Sequence, residues 1–142
     1  MSLDREPIKV SEALRLAKHY YTEEGYNHAM RVAGYVAEMK MIPYNYQDEC
    51  VALAIMHDLV EDTEYKPIQL PEYFGKALKL LTKPEGMSYN EYCKLLKESI
   101  TFTYGQCAYY VKLADMKDHL SQKETLTDRL KEKYLEGLAE LL

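Results

Sequence analysis

Hydrophobic positions recur at three- and four-residue steps along most of the chain, and no stretch shows the strict alternation of a half-buried strand. The pattern predicts an all-α fold. Ser11 is placed to cap a first helix over 11–24, closed by Gly25, and a second helix over 26–40 stops short of Pro43. Asn45, followed by Asp48 and Glu49, resembles the capped start of a third. Residues 66–71 read as a loop, 72–81 as a short helix and "TKPEG" (82–86) as a turn cluster. Ser88 and Glu91 form a capping-box pair that opens a helix to about residue 103. Gly105 breaks that run, and "GQCAYYVKLADMKDHL" makes the next helix. Over 125–142, Leu130, Tyr134, Leu138 and Leu141 share a face that should dock on the core. With no repeat, low-complexity tract or linker, residues 1–142 are expected to form one compact helical bundle.

The third helix carries a contradiction. "CVALAIM" (50–56) is apolar without interruption, as in a helix buried on most sides, yet it runs into "HDLVEDT" (57–63). On a continuous helix, His57, Asp58, Glu61 and Asp62 fall within one arc. One turn upstream that arc holds Cys50, Val51 and Ala54, so it should face inward. Asp58 and Asp62 repel at i, i+4, and the helix macrodipole disfavours anions in a last turn. Buried carboxylates pair, protonate or bind a metal, and no basic residue follows before Lys66. A divalent cation answers all three difficulties; the alternative is a solvated helix end with His57 as an ordinary core histidine.

Two other helices bear on the choice. His28 heads the apolar stripe Val32, Tyr35, Val36 and Met39, and Asp115 shares a face with Ala108 and Val111. Each has a plain alternative: a satisfied core histidine, and an acid paired with Lys112. Three such coincidences on three helices favour a ligand set of His28, His57, Asp58 and Asp115. Mixed nitrogen and oxygen donors suit a divalent transition ion such as Mn²⁺ or Fe²⁺, with Co²⁺ or Zn²⁺ as alternatives.

Charge and composition narrow the rest. The net charge is −5, and no Lys/Arg run is interleaved with aromatics, which argues against a nucleic-acid or anionic-membrane surface. No apolar segment approaches the ~20 residues of a bilayer span, and the start of the chain lacks a signal-peptide hydrophobic region. A soluble, cytoplasmic protein is expected. Cys50, Cys93 and Cys107, far apart and without a CxxC spacing, read as small core residues. Tryptophan is absent while tyrosines number 14, and many of them are expected half-buried with wet hydroxyls.

The order His28 … His57-Asp58 … Asp115, with "HDLVEDT", "FGKALKLLTK" (74–83) and "VKLAD" (111–115), resembles the HD-domain superfamily of metal-dependent phosphohydrolases. Above all it resembles the hydrolase domain of RelA/SpoT-type alarmone enzymes and their short stand-alone relatives, from about residue 28 to 120. The resemblance implies a helical bundle of the HD type with metal ligands at His28, His57, Asp58 and Asp115. It also implies that Glu61 and Asp62 act on the attacking water, and that the reaction is Mn²⁺-dependent removal of pyrophosphate from the 3′ position of (p)ppGpp. His119, one turn beyond Asp115, could then serve as acid, supporting group or leaving-group contact.

The chain also departs from that family. His19 and Tyr20 stand where the family has a basic pair that holds the guanine nucleotide, and Met116 and His119 replace its Arg and Asn. Tyr20 or Tyr21 could stack a base or pack in the core. Lys112 could contact a phosphate or neutralise Asp115 or Asp118. Tyr89 and Tyr92 could edge a pocket or pack between helices. Beside the alarmone reaction stand two readings: a nucleotidase or phosphoesterase on another substrate, and a non-catalytic module binding metal and nucleotide. The oligomeric state is left open.

Overall fold

The computed structural model describes residues 8–68 and 70–142, and within them the fold is all-α with no strand. The 66–71 loop expected from the sequence therefore lacks a described Gln69, and the first seven residues, where a signal segment would begin, lie outside the described part. No helix among the described residues is long and apolar enough to cross a membrane.

Helix α1 (Val10–Tyr20) starts one residue before Ser11, so that serine sits in the first turn and caps nothing. The helix stops at Tyr21 rather than at Gly25. Thr22 is extended, and its hydroxyl oxygen accepts the Gly25 N–H at 3.1 Å, which places Gly25 inside the first turn of α2 (Glu23–Ala37). A threonine ahead of two glutamates is a stronger start signal than the glycine is a stop, because it satisfies an orphan donor while the acids complement the macrodipole. After a tight 3-10 turn at Tyr44–Tyr46 comes α3 (Gln47–Met56), without the Asn45 side-chain cap.

Helix α3 is the hub. It is buried on nearly every side and packs against α1, α2, α5 (Glu72–Leu80) and α7 (Thr103–Ser121). It ends at Met56; His57 and Asp58 form a turn, and a separate short α4 (Leu59–Asp62) follows. The continuous helix expected through Asp62 is thus broken at its chemically richest point. Helix α6 (Tyr89–Glu98) opens as expected: Ser88 Oγ accepts the Glu91 N–H at 3.1 Å and donates to its carboxylate. Helix α8 (Asp128–Leu141), capped by Thr127 instead of starting at 125, packs on α6 and α7 with Leu141 fully buried.

Gly105 does not break a helix. It lies in the first turn of α7, where a β-carbon would overlap the Ser99 backbone carbonyl, so glycine here permits a close approach of the preceding 3-10 turn. The three cysteines are buried and free. Three tyrosine hydroxyls are spent on backbone carbonyls instead of being left to water. Tyr21 donates to the Ile55 carbonyl (2.7 Å), Tyr92 to Leu80 (2.7 Å) and Tyr109 to Leu141 (2.9 Å), each an acceptor in the last turn of another helix. Those carbonyls have no partner within their own helix, so the remote phenols satisfy them.

Candidate metal centre

The break after Met56 creates the site. On an unbroken helix successive side chains diverge by about 100°; across the turn, His57 Nε2 and Asp58 Oδ2 come to 3.2 Å. The turn is pinned by Tyr21, the residue that follows α1. Tyr21 accepts the Asp58 backbone N–H at 3.2 Å while donating to Ile55, and burial together with the nearby Asp58 charge pushes its phenol pKa up, keeping it a donor.

His28 of α2 and Asp115 of α7 converge on the same point. His28 Nε2 lies 2.8 Å from Asp115 Oδ1 and 3.6 Å from Asp58 Oδ2, and His57 Nε2 lies 3.2 Å from Asp115 Oδ1. One donor atom from each of His28, His57, Asp58 and Asp115 lies within 4.8 Å of all the others. The far nitrogens are committed elsewhere: His28 Nδ1 is 2.6 Å from Asp118 Oδ2, and His57 Nδ1 is 2.6 Å from the Ala54 carbonyl. Each Nδ1 must therefore carry the hydrogen. A neutral imidazole held that way turns the Nε2 lone pair inward, towards carboxylate oxygens that are also acceptors. Acceptors facing acceptors need either protons on the histidines or a cation between them. The donor set fits a divalent transition ion.

Protonation shows how strong that demand is. Burial alone would lower the His57 pKa, yet Asp58 and Asp115 override it and raise it well above the usual histidine range; His28 is raised too, against burial, by Asp115 and Asp118. Burial would raise Asp115, but the Lys112 ammonium at 3.0 Å and the surrounding imidazoles hold it well below the usual carboxylate range. Asp58 is held low against burial mainly by His57.

Asp118 is a site residue that no sequence motif marks. Its side chain is 0 % exposed, and besides His28 it accepts from Arg31 Nε at 2.8 Å and Nη2 at 3.1 Å. The available signal was spacing: Asp118 is three residues past Asp115, and Arg31 three past His28. If the cluster holds Mn²⁺, Asp118→Asn should keep the fold yet weaken that binding by about 10- to 100-fold, the usual cost of losing a group that orients a ligating histidine. Manganese titration followed by electron paramagnetic resonance reads this directly, and unchanged affinity would refute it.

Around the centre opens a cleft of about 180 Å³ that Asp58, Glu61, Asp62, Lys112, Asp115 and His119 help to line. Glu61 and Asp62 are exposed on its wall, not buried on an inward face. Glu61 Oε2 accepts the Lys83 backbone N–H at 2.8 Å and so braces α4 against the turn after α5. Partial burial and the charges of Asp58 and Glu61 push the Asp62 pKa up. His119 Nε2 reaches Asp115 Oδ1 at 3.2 Å, and its ring stacks on Tyr134 at 4.8 Å. Lys112 is spent on Asp115 and lies between Tyr89 and Tyr92, which both line the cleft. His19 and Tyr20 do not line it: His19 is exposed on α1, and Tyr20 packs edge-on against Tyr65. Met116 is fully buried. No family model matches the chain, and no curated protein matches it significantly.

Proposed function

We propose that this chain is a divalent-metal-dependent phosphohydrolase acting on a nucleotide, with pyrophosphate release from (p)ppGpp as its best single reaction. The observation that carries the reading is the inward convergence of His28 Nε2, His57 Nε2, Asp58 and Asp115, with both far nitrogens already hydrogen-bonded. The resemblance of "HDLVEDT" and "VKLAD" to the HD-type alarmone hydrolases supports the substrate class. In a cytoplasmic enzyme of this kind, His28, His57, Asp58 and Asp115 would hold the ion, Mn²⁺ for preference. A bound divalent ion supplies Lewis-acid polarisation of a phosphoryl oxygen and makes water easier to deprotonate.

The remaining chemistry belongs to the cleft side chains. Asp62, with its pKa pushed up beside Asp58 and Glu61, is suited to take a proton from water and return it. Glu61 holds the loop after α5 through Lys83 and can share in orienting water with its other oxygen. His119 stands one turn beyond Asp115 with its ring fixed by Tyr134, placed to donate a proton to a leaving oxygen. A cleft of about 180 Å³ is smaller than the roughly 300 Å³ at which drug-sized pockets begin, so it suits the phosphate end of a nucleotide with the nucleoside towards the mouth.

The departure at His19 and Tyr20, both outside the cleft, favours keeping a second substrate reading and the non-catalytic one in view. Offering (p)ppGpp and a panel of nucleotides to the Mn²⁺-loaded protein separates them. Pyrophosphate from (p)ppGpp supports the proposal, orthophosphate from another nucleotide moves the substrate, and metal binding without any turnover overturns the enzyme reading.

Metal binding should also strengthen with pH. His28 and His57 have folded-state pKa values raised above the ordinary ~6.5, so both are largely protonated up to and beyond that pH and must lose those protons to ligate. Their contribution to metal-free stability is present below ~6.5 and is lost as pH rises through the raised values. Mn²⁺ affinity is therefore expected to climb by about tenfold per pH unit for each proton displaced from pH 6 upward. Calorimetry in buffers of different ionisation enthalpy checks it; a flat profile would contradict the ligand set.

A further inference from the structure

The cleft holds three lysines, and two of them are already committed. Lys112 gives its ammonium to Asp115 at 3.0 Å. Lys83 donates to the Met87 carbonyl at 2.7 Å and to Pro84 at 3.4 Å. Lys133 on α8 differs. Among the described residues no carboxylate lies within ion-pair distance of it, although α8 is rich in glutamate. The neighbouring helix explains this: Glu136 accepts from the Asn90 side chain at 3.4 Å, and Glu140 pairs with Lys94 at 3.8 Å. Both acids, three and seven residues beyond Lys133, are drawn across to α6.

Lys133 Nζ lies instead over aromatic rings, 4.7 Å from the Tyr89 centroid and 5.4 Å from that of Tyr134. Lys112 Nζ is 5.4 Å from the same Tyr89 ring. One ring thus carries a committed and an uncommitted ammonium, both bordering the cleft. Ring faces hold an exposed cation more weakly than a charge-assisted hydrogen bond does, so an anion can recruit Lys133 without breaking an ion pair. Tyr134 stacks on His119, which touches Asp115, so Lys133 stands beside the metal ligands at the remove of two rings. A phosphate engaged at the histidine–aspartate cluster leaves Lys133 for a different group.

We propose that Lys133, held on the Tyr89 and Tyr134 rings, binds a second anionic group of the substrate and makes the cleft selective for diphosphates over monophosphates. This rests on the reading of the cluster as a phosphohydrolase centre. Lys133 is a specificity residue here, and Tyr89 is its platform.

The test is calorimetric titration of inorganic pyrophosphate and of orthophosphate into the full Mn²⁺-loaded chain at fixed free Mn²⁺. Pyrophosphate should bind at least about tenfold tighter, the usual return of one charge-assisted hydrogen bond. Lys133→Met, checked for fold by circular dichroism, should bring that ratio close to one, and Lys133→Arg should keep it. A Lys133→Met protein with the wild-type ratio, or a wild type without the preference, overturns the proposal. If the Lys133-dependent preference holds while no nucleotide is turned over, the hydrolase reading falls and the second anion subsite stands.

Discussion

Asp115→Ala is expected to abolish measurable Mn²⁺ binding and to cost about 3–5 kcal/mol of stability, the range for breaking a buried ion pair from one side. The carboxylate is 5 % exposed and is shared by Lys112, His28, His57 and His119. Removing it leaves the Lys112 ammonium, itself 12 % exposed, without its counter-charge. Urea denaturation reads the stability loss, and manganese titration reads the binding. Because an unfolded protein also binds no metal, Asp58→Asn is the companion variant. Asp58 is 23 % exposed and has no lysine depending on it, so its loss should remove the ion and leave the bundle intact. If Asp58→Asn folds and still binds Mn²⁺ with wild-type affinity, the ligand set is wrong. A wild-type melting temperature that rises with added Mn²⁺, and does not rise in Asp58→Asn, would be the matching thermodynamic signature.

Gly105→Ala is expected to destabilise the fold by about 3 kcal/mol, at the top of the usual range for overpacking, although alanine is the better helix former by about 1 kcal/mol. The added methyl has nowhere to go but into the Ser99 carbonyl and its neighbouring hydroxyl. Relief requires the 3-10 turn at Ser99–Thr101 to move away from α7, and Phe102 and Tyr104, stacked at 5.4 Å, sit at that junction. Denaturant midpoints of the two proteins measure the difference, and an alanine variant as stable as the wild type would mean that the turn yields freely.

Gly105 also marks the limit of what the chain reveals by inspection. Its chemistry is the same whether it ends a helix or admits a neighbouring backbone, and only the neighbour decides. Signals carried by adjacent residues were legible: the period of the apolar positions, and the cap formed by Ser88 and Glu91. Thr22 is an equally local signal, but Gly25 three residues on competes with it as a helix stop. His28, His57, Asp58 and Asp115 could be gathered because each acid or imidazole interrupts an apolar face. Asp118 carries no such signal: it stands beside Lys117 and His119 in a polar run, and only its contacts to His28 and Arg31 give it meaning. An unbroken helix would put Glu61 and Asp62 on one inward arc with His57 and Asp58, and its break depends on Tyr21, 37 residues before Asp58.

That last dependence ties the approach of His57 to Asp58 to the folding of the whole bundle. Phenols from elsewhere in the bundle satisfy the final turns of α3, α5 and α8. A stop of this kind has no independent existence: until Tyr21 docks, α3 lacks the phenol that caps Ile55 and holds the Asp58 N–H, and it can wind on through the acids. His57 and Asp58 then point apart, and the chelating geometry is missing. If the proposed ligand set holds an ion, that affinity would arise in the same cooperative step that buries the core.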